Sequence, residues 1–115
     1  MKSKIKIYFL ENSFDYNGND LNSNIIGGSE KTLINISSEL AKDDKFKIKV
    51  FNNTSNSSII NNVSWMNINK INQSEEVNYV IAMSDANLFK NIACKKNFLW
   101  SHSIQSLEKS YICHK

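Results

Sequence analysis

The chain has no proline, no arginine, only three glycines and only two cysteines among its 115 residues. Because every basic residue is lysine and the net charge is only +3, the sequence argues against a dedicated nucleic-acid binder, which needs a dense basic face and arginine. The apolar run near the start covers residues 7–10, which is too short for a signal peptide or a membrane span. Two cysteines without a signal sequence predict reduced thiols in a cytoplasmic protein.

The composition that remains is globular. Hydrophobic residues make up 41% and charged residues 22%, and no linker or internal repeat divides the chain. The length suits one domain with a core of its own. Asparagine is abundant beside isoleucine and lysine, and we attribute this to an AT-rich genome rather than to function.

Several segments alternate as β-strands do. Residues 4–10 begin with alternation and end fully apolar, which predicts a strand buried on both faces at its end. Residues 45–51 alternate lysine with apolar side chains, which predicts a strand with one solvated face near the sheet edge. Residues 63–68 and 77–83 are further strand candidates, and residues 97–103 give a last strand ending in polar residues.

An amphipathic helix is predicted directly after the paired glycines. The residues that recur at helical spacing are Leu33, Ile36 or Ser37, Leu40 and Ala41. Ser29 is the predicted N-cap, and Glu30 lies in the first turn, where the helix dipole favours an acid. Ser84 or Asp85 is expected to cap a second helix, and Cys94 is placed near that helix's end.

The order strand, helix, three strands, helix, strand predicts a parallel α/β sheet flanked by helices. Such sheets bind ligands beyond the carboxyl ends of their strands. We therefore expect three segments to meet at one mouth. They are the polar loop after Leu10, the turn at residues 83–85 and residues 101–103.

The pair Gly27 and Gly28 just before the helix is a candidate anion site. A helix N-terminus offers unsatisfied N–H groups and partial positive charge, and glycine leaves them accessible to a phosphate. The alternative is a turn that needs a positive φ, for which glycine is also suited. No G-x-G-x-x-G follows the first strand and no G-x-x-x-x-G-K-[ST] is present, so the dinucleotide fingerprint and the P-loop are both excluded.

A first strand "KIYFLENS" followed by "GGSEKTLINISSELAK" resembles the start of a GT-B fold, family 4 nucleotide-sugar glycosyltransferase. That family commonly carries Gly-Gly-x-Glu at the opening of its first helix. The later "NYVIAMSDANLFKNI" and "KNFLWSHS" are similar to the same N-terminal half, so the resemblance covers nearly the whole chain. It implies a Rossmann-like domain and a retaining sugar transfer from a nucleotide-sugar donor to an acceptor hydroxyl.

The resemblance also implies roles for particular residues. Gly27 and Gly28, with Ser29 and Glu30 beside them, would face the donor diphosphate or a phosphate on the acceptor. Glu30 matches the acid of the motif, with capping or loop orientation as an equal alternative.

At the last strand, His102 matches a cleft residue that contacts the transferred sugar, with Ser101 and Ser103 as weaker candidates. The bland alternative is a histidine hydrogen-bonded at a strand end. No metal is expected, because the helix tip and basic side chains replace a cation at the diphosphate.

One departure limits the resemblance. The donor-binding second half of the family, with its Glu-x7-Glu pair, has no counterpart in the chain. We therefore expect a fragment or a truncated product that does not transfer sugar alone and lacks its C-terminal domain. Its partners would be the nucleotide-sugar and a sugar or lipid-linked acceptor. The lysine row at residues 45–49 leaves open peripheral contact with the inner face of the membrane.

Three other classes fit less well. A non-catalytic ligand-binding or receiver-like module is the main alternative, but Glu11 and Asp15 do not form the acidic cluster of a receiver. An adenosylmethionine enzyme would need a glycine-rich turn directly after the first strand. A zinc site is disfavoured because Cys94, His102 and Cys113 lack any C-x2-C pair.

Overall fold

The computed structural model describes residues 4–12, 15–23, 26–72, 75–83 and 94–100, the last as a backbone strand. It contains one α-helix and six β-strands in this part of the chain. In chain order they are β1 (Ile5–Leu10), α1 (Gly28–Leu40), β2 (Phe46–Asn52), β3 (Ser58–Ile60), β4 (Val63–Asn67), β5 (Val77–Met83) and β6 (Cys94–Trp100). Short 3-10 helices lie at Gly18–Asp20 and Ile68–Lys70.

The strands form a single sheet in the order β3-β4-β2-β1-β5-β6. Every neighbouring pair is parallel except β3 and β4, which form an antiparallel hairpin at one edge. The predicted α/β class is therefore confirmed, as a mostly parallel sheet flanked by a helix, while the antiparallel β3 departs from the fully parallel sheet that was expected. The second predicted helix lies outside the described residues.

Alternation along β1 decides which side chains face α1. Ile7 and Phe9 belong to the hydrophobic cluster that includes Leu33 and Ile34 of the helix. Tyr8 and Leu10 belong to a second cluster on the opposite face. The strand is thus buried on both faces at its carboxyl end, as the apolar run predicts.

The helix begins two residues earlier than expected. Gly27 is the N-cap and Gly28 the first helical residue, so the prediction that Ser29 caps the helix is wrong. The helical pattern allowed either Ile36 or Ser37 on the core face, and Ser37 is the one buried there. Its hydroxyl donates to the Ile34 carbonyl at 3.1 Å. Ile36 is 37% exposed.

Two further placements are corrected. Strand β2 lies inside the sheet between β4 and β1, and β3 occupies that edge instead. The β3–β4 hairpin turns at Asn61 and Asn62, with φ of 53° and 65°, because asparagine tolerates the left-handed conformation of a two-residue turn. Cys94 is the first residue of β6 and not a helix end.

Within the described ranges, no helix is long and apolar enough to cross a membrane.

Candidate functional site

The carboxyl ends of the five parallel strands meet at one edge of the sheet. The register pairs Leu10 with Phe51 and with Ala82, and it pairs Met83 with Trp100. The loop after β1 leaves from this edge and leads into α1. The N-terminus of the helix therefore returns to the edge where parallel sheets bind ligands.

The paired glycines are exposed at this helix tip. Gly27 has a φ of −89°, and none of the described glycines has a positive φ, so the turn explanation for the pair is wrong. A Cβ added at Gly28 would meet nothing within 4 Å, and one at Gly27 would meet only the Glu30 carboxylate, at 3.3 Å. Neither a positive φ nor packing against the described residues thus requires glycine at these positions.

Glu30 lies in the first turn of α1, as predicted. Its Oε2 atom would be 3.3 Å from a Cβ at Gly27, so the side chain bends back toward the N-cap. An acid at this third helical position is typical of residues that reach back to the cap. This geometry fits the capping alternative, and it also places a carboxylate beside the exposed backbone of the tip.

A second carboxylate lies close by. Glu11 directly follows β1 and is only 8% exposed, and its N–H extends the sheet by donating to the Phe51 carbonyl at 3.0 Å. Tyr16 is buried beside it, at 2% exposed. Burial raises the pKa of Tyr16, the carboxylates of Glu11 and Glu30 raise it further, and the Asn52 amide acts in the opposite direction. The hydroxyl therefore lies within electrostatic reach of both acids.

Buried amides hold the loop after β1 in place. The side chain of Asn52, which is fully buried at the end of β2, donates to the Tyr16 carbonyl at 2.9 Å and accepts from the Thr54 N–H at 3.0 Å. Asn67 at the end of β4 donates to the Thr54 carbonyl at 3.0 Å. A network that satisfies its buried polar groups fixes the backbone around them. Part of the asparagine content therefore has a structural role, which the sequence analysis assigned to genome composition alone.

The same loop is tied down at its surface. The Ser55 N–H donates to Asp15 Oδ1 at 2.9 Å, and the Ser55 hydroxyl donates to Asp15 Oδ2. The Asn53 amide donates to Asn12 Oδ1 at 2.8 Å. The hydrogen bonds that the Ser55 hydroxyl and the Ser55 N–H donate to Asp15 lower the pKa of its carboxyl group. The Asp15 carboxylate is thus bound by Ser55 of the neighbouring loop.

The third glycine, Gly18, is present for a different structural reason. A Cβ at Gly18 would lie 2.9 Å from Ile60 Cγ2 and 3.2 Å from Trp65 Nε1. Trp65 is fully buried, and its ring meets Tyr16 edge to face at 5.7 Å. Close packing therefore requires glycine at position 18.

A cluster of charged groups lies on the other face of the sheet. Lys6 Nζ pairs with Glu75 Oε2 at 3.0 Å, and the Tyr8 hydroxyl donates to the same oxygen at 2.9 Å. Lys49 lies 5.3 Å from the centre of the Tyr8 ring, and burial, together with repulsion from Lys47, lowers its pKa. The lysine row is therefore not uniformly solvated, because Lys49 is half-buried.

The structure brings four of the predicted site residues together, since Gly27, Gly28, Ser29 and Glu30 form the cap and first turn of α1. Ser101 and His102 lie outside the described residues, as does Asp85. Sequence reasoning did not place Glu11, Tyr16 and Asn52 at this edge. A buried acid directly after an apolar strand was the one available signal, and it was considered only for a receiver.

The described ranges hold no group of three His, Cys, Asp or Glu side chains that could bind a metal ion. Comparisons of the chain with protein-family models, curated proteins and solved structures found no match.

Proposed function

We propose that the chain is the acceptor-side, N-terminal half of a GT-B glycosyltransferase similar to family 4. The complete enzyme would transfer a sugar from a nucleotide-sugar donor to an acceptor hydroxyl, with retention. The observation that carries the proposal is the exposed tip of α1 at the carboxyl edge of the sheet. Gly27 and Gly28 leave the backbone accessible there, although packing against the described residues does not require glycine at either position.

The strand order supports the same reading. Numbered along the chain, the parallel strands alone run 3-2-1-4-5 across the sheet. A doubly wound Rossmann-like half begins with this order, and its ligand cleft opens where the order reverses, beside the first strand. In this chain the first strand is β1, and the loop that leads to the glycines starts at its carboxyl end.

Each predicted site residue keeps a proposed role. Gly27 and Gly28 let a substrate approach bare backbone, and the first-turn N–H groups stabilise it as the bond breaks. Ser29 and Glu30 flank that substrate. His102, with Ser101, is proposed to contact the transferred sugar. No metal is required, because N–H groups and basic side chains would stabilise the leaving diphosphate.

A non-catalytic α/β module is the alternative. A receiver-like module would gather acids after β1, but Asp15 is bound to Ser55, and no metal-binding cluster of acids occurs in the described part of the chain. These observations favour sugar transfer over a receiver. The DNA that follows the codon for Lys115 separates the two classes, because only the transferase needs a second α/β half with Glu-x7-Glu.

The decisive experiment uses the full gene product and measures release of nucleoside diphosphate from a panel of nucleotide-sugars in the presence of candidate acceptors. We expect turnover, and we expect Gly28→Val to lower kcat/KM by about 100-fold or more while the protein stays folded, a loss comparable to removing one oxyanion-stabilising donor. Asn35→Val is the matched control, since Asn35 is exposed on the same helix away from the tip. Full activity in Gly28→Val would remove the glycines from the mechanism, and a frame without a second half would contradict the proposal.

A further inference from the structure

Lysines from two neighbouring strands meet on the face of the sheet opposite α1. The register places Lys6 of β1 beside Lys47 of β2, and it places Tyr8 beside Lys49. Paired residues of neighbouring strands point to the same side of a sheet, and Tyr8 belongs to the hydrophobic cluster on the face away from α1. Lys6, Lys47 and Lys49 therefore form one basic patch. Lys6 and Lys47 are each the second residue of their strand, so the patch lies toward the amino ends of the strands.

The carboxylate nearest this basic patch is already engaged by two donors. Lys6 Nζ pairs with Glu75 Oε2 at 3.0 Å, and the Tyr8 hydroxyl donates to the same oxygen at 2.9 Å. Within the described ranges, neither Lys47 nor Lys49 forms an ion pair. The Lys49 ammonium instead lies 5.3 Å from the centre of the Tyr8 ring. The basic patch therefore keeps a surplus of positive charge that the described residues do not neutralise.

The lysines of the basic patch also act on one another. Burial lowers the pKa of Lys49, and repulsion from Lys47 lowers it further. Glu75 opposes this change and Lys6 adds to it. Like charges at paired positions of neighbouring strands cost free energy. An anion that lies among these ammonium groups would remove the repulsion, as anions do when they collect at surfaces of positive charge.

We propose that Lys6, Lys47 and Lys49 form a binding site for a ligand that carries a phosphate group. A phosphate ester carries about two negative charges near neutral pH and three strong acceptor oxygens, which matches two ammonium groups without an ion pair. Lysine binds phosphate as a compact point charge and needs no planar, bidentate geometry. The phosphate can belong to a soluble compound or to a lipid headgroup. The site lies on the other face of the sheet from α1, so it does not depend on the proposed sugar transfer.

Titration of the chain with inorganic pyrophosphate, followed by the amide NMR signals of the basic patch, tests the site. We expect these signals to move, and we expect Lys47→Gln to weaken binding about tenfold through the loss of a charge-assisted hydrogen bond. Glu75→Gln should tighten binding about threefold or more, because it removes the negative charge that compensates Lys6. Lys42→Gln is the matched control and should leave binding unchanged, because Lys42 is exposed just beyond α1 and pairs with Glu39.

Lipid vesicles distinguish the two sources of phosphate. Cosedimentation with vesicles of phosphatidylcholine and phosphatidylglycerol, but not with phosphatidylcholine alone, would identify a lipid headgroup if Lys47→Gln reduces it. Pyrophosphate binding without cosedimentation would identify a soluble phosphate compound. Three results would overturn the inference. They are the absence of binding to either probe, binding that Lys47→Gln leaves unchanged, and equal weakening by Lys42→Gln and Lys47→Gln, which would indicate diffuse attraction to a basic protein.

Discussion

Two glycine-bearing segments lie along the connection from β1 into α1, and they contain glycine for different reasons. At Gly18 an added Cβ would collide with Ile60 and crowd Trp65, whereas at Gly28 it would enter open space. Close packing in the interior of the protein therefore requires glycine at position 18. Gly28 has no such internal cause in the described part of the chain, and alanine would be the better helix former there, whereas Gly27 is the N-cap, a position that glycine suits better than alanine. The contrast shows that a glycine without an internal cause is the better candidate for a ligand-facing position.

The largest effect is expected from the side chain that crowds Gly18. Trp65→Ala should destabilise the chain by about 3–5 kcal/mol, because it removes a fully buried indole and leaves a cavity beside Tyr16. Urea unfolding followed by circular dichroism measures the change. A loss of less than about 1 kcal/mol in unfolding free energy would show that Trp65 is not packed against Tyr16 as described. Ile59→Ala is the control, since Ile59 is 76% exposed.

The next effect concerns the buried amide of Asn52, which holds the loop after β1 just ahead of Gly18. Asn52→Ala should cost roughly 1–3 kcal/mol for each of the two buried backbone groups it leaves unpaired, the Tyr16 carbonyl and the Thr54 N–H. Ser55→Ala, which removes an exposed hydroxyl from the same loop, should cost far less. Equal unfolding midpoints for the two variants would argue that the buried network does not hold the loop.

Gly18→Ala directly tests the close packing of Ile60 and Trp65 around Gly18. We expect a loss of about 1–3 kcal/mol, typical of overpacking in a filled interior. In a Trp65→Ala background the same substitution should cost less, because one of the two crowding side chains is gone. Additive losses in this double-mutant cycle would mean that the crowding comes from Ile60 alone.

Gly28→Ala should have the smallest effect and the opposite sign. The added methyl group meets no atom within 4 Å, and alanine is the better helix former, so the chain should gain up to roughly 1 kcal/mol of unfolding free energy. The same denaturation experiment measures it. A loss of stability at this position would place Gly28 with Gly18 and weaken the case for a ligand-facing tip.

The elements that depend on local periodicity were predictable. Residues 77–83 match β5 at both ends, and the helix prediction erred by two residues at its cap, where Gly27, which has no side chain, takes the capping role expected of Ser29. The hairpin strand β3 was not predicted, because its three residues carry too little alternation to indicate a strand.

The candidate site was only half predictable. The glycine tip could be found because its residues are consecutive. Asn52 could not be linked to Tyr16 from the sequence, since 36 positions separate them and their hydrogen bond exists only once β1 and β2 pair side by side. The position of β2 inside the sheet was mistaken for the same reason, because its alternating lysines look like those of an edge strand until the neighbours are known.

By itself the sequence determined that apolar side chains recur with the periods of strands and of one helix, because that information is carried by residues two to four positions apart. It also determined that bare glycines open the helix. Only the tertiary structure decided that the helix tip, a buried acid, a tyrosine hydroxyl and an asparagine amide share one edge of the sheet. That decision required burial of both faces of β1 by distant segments, which no local pattern encodes.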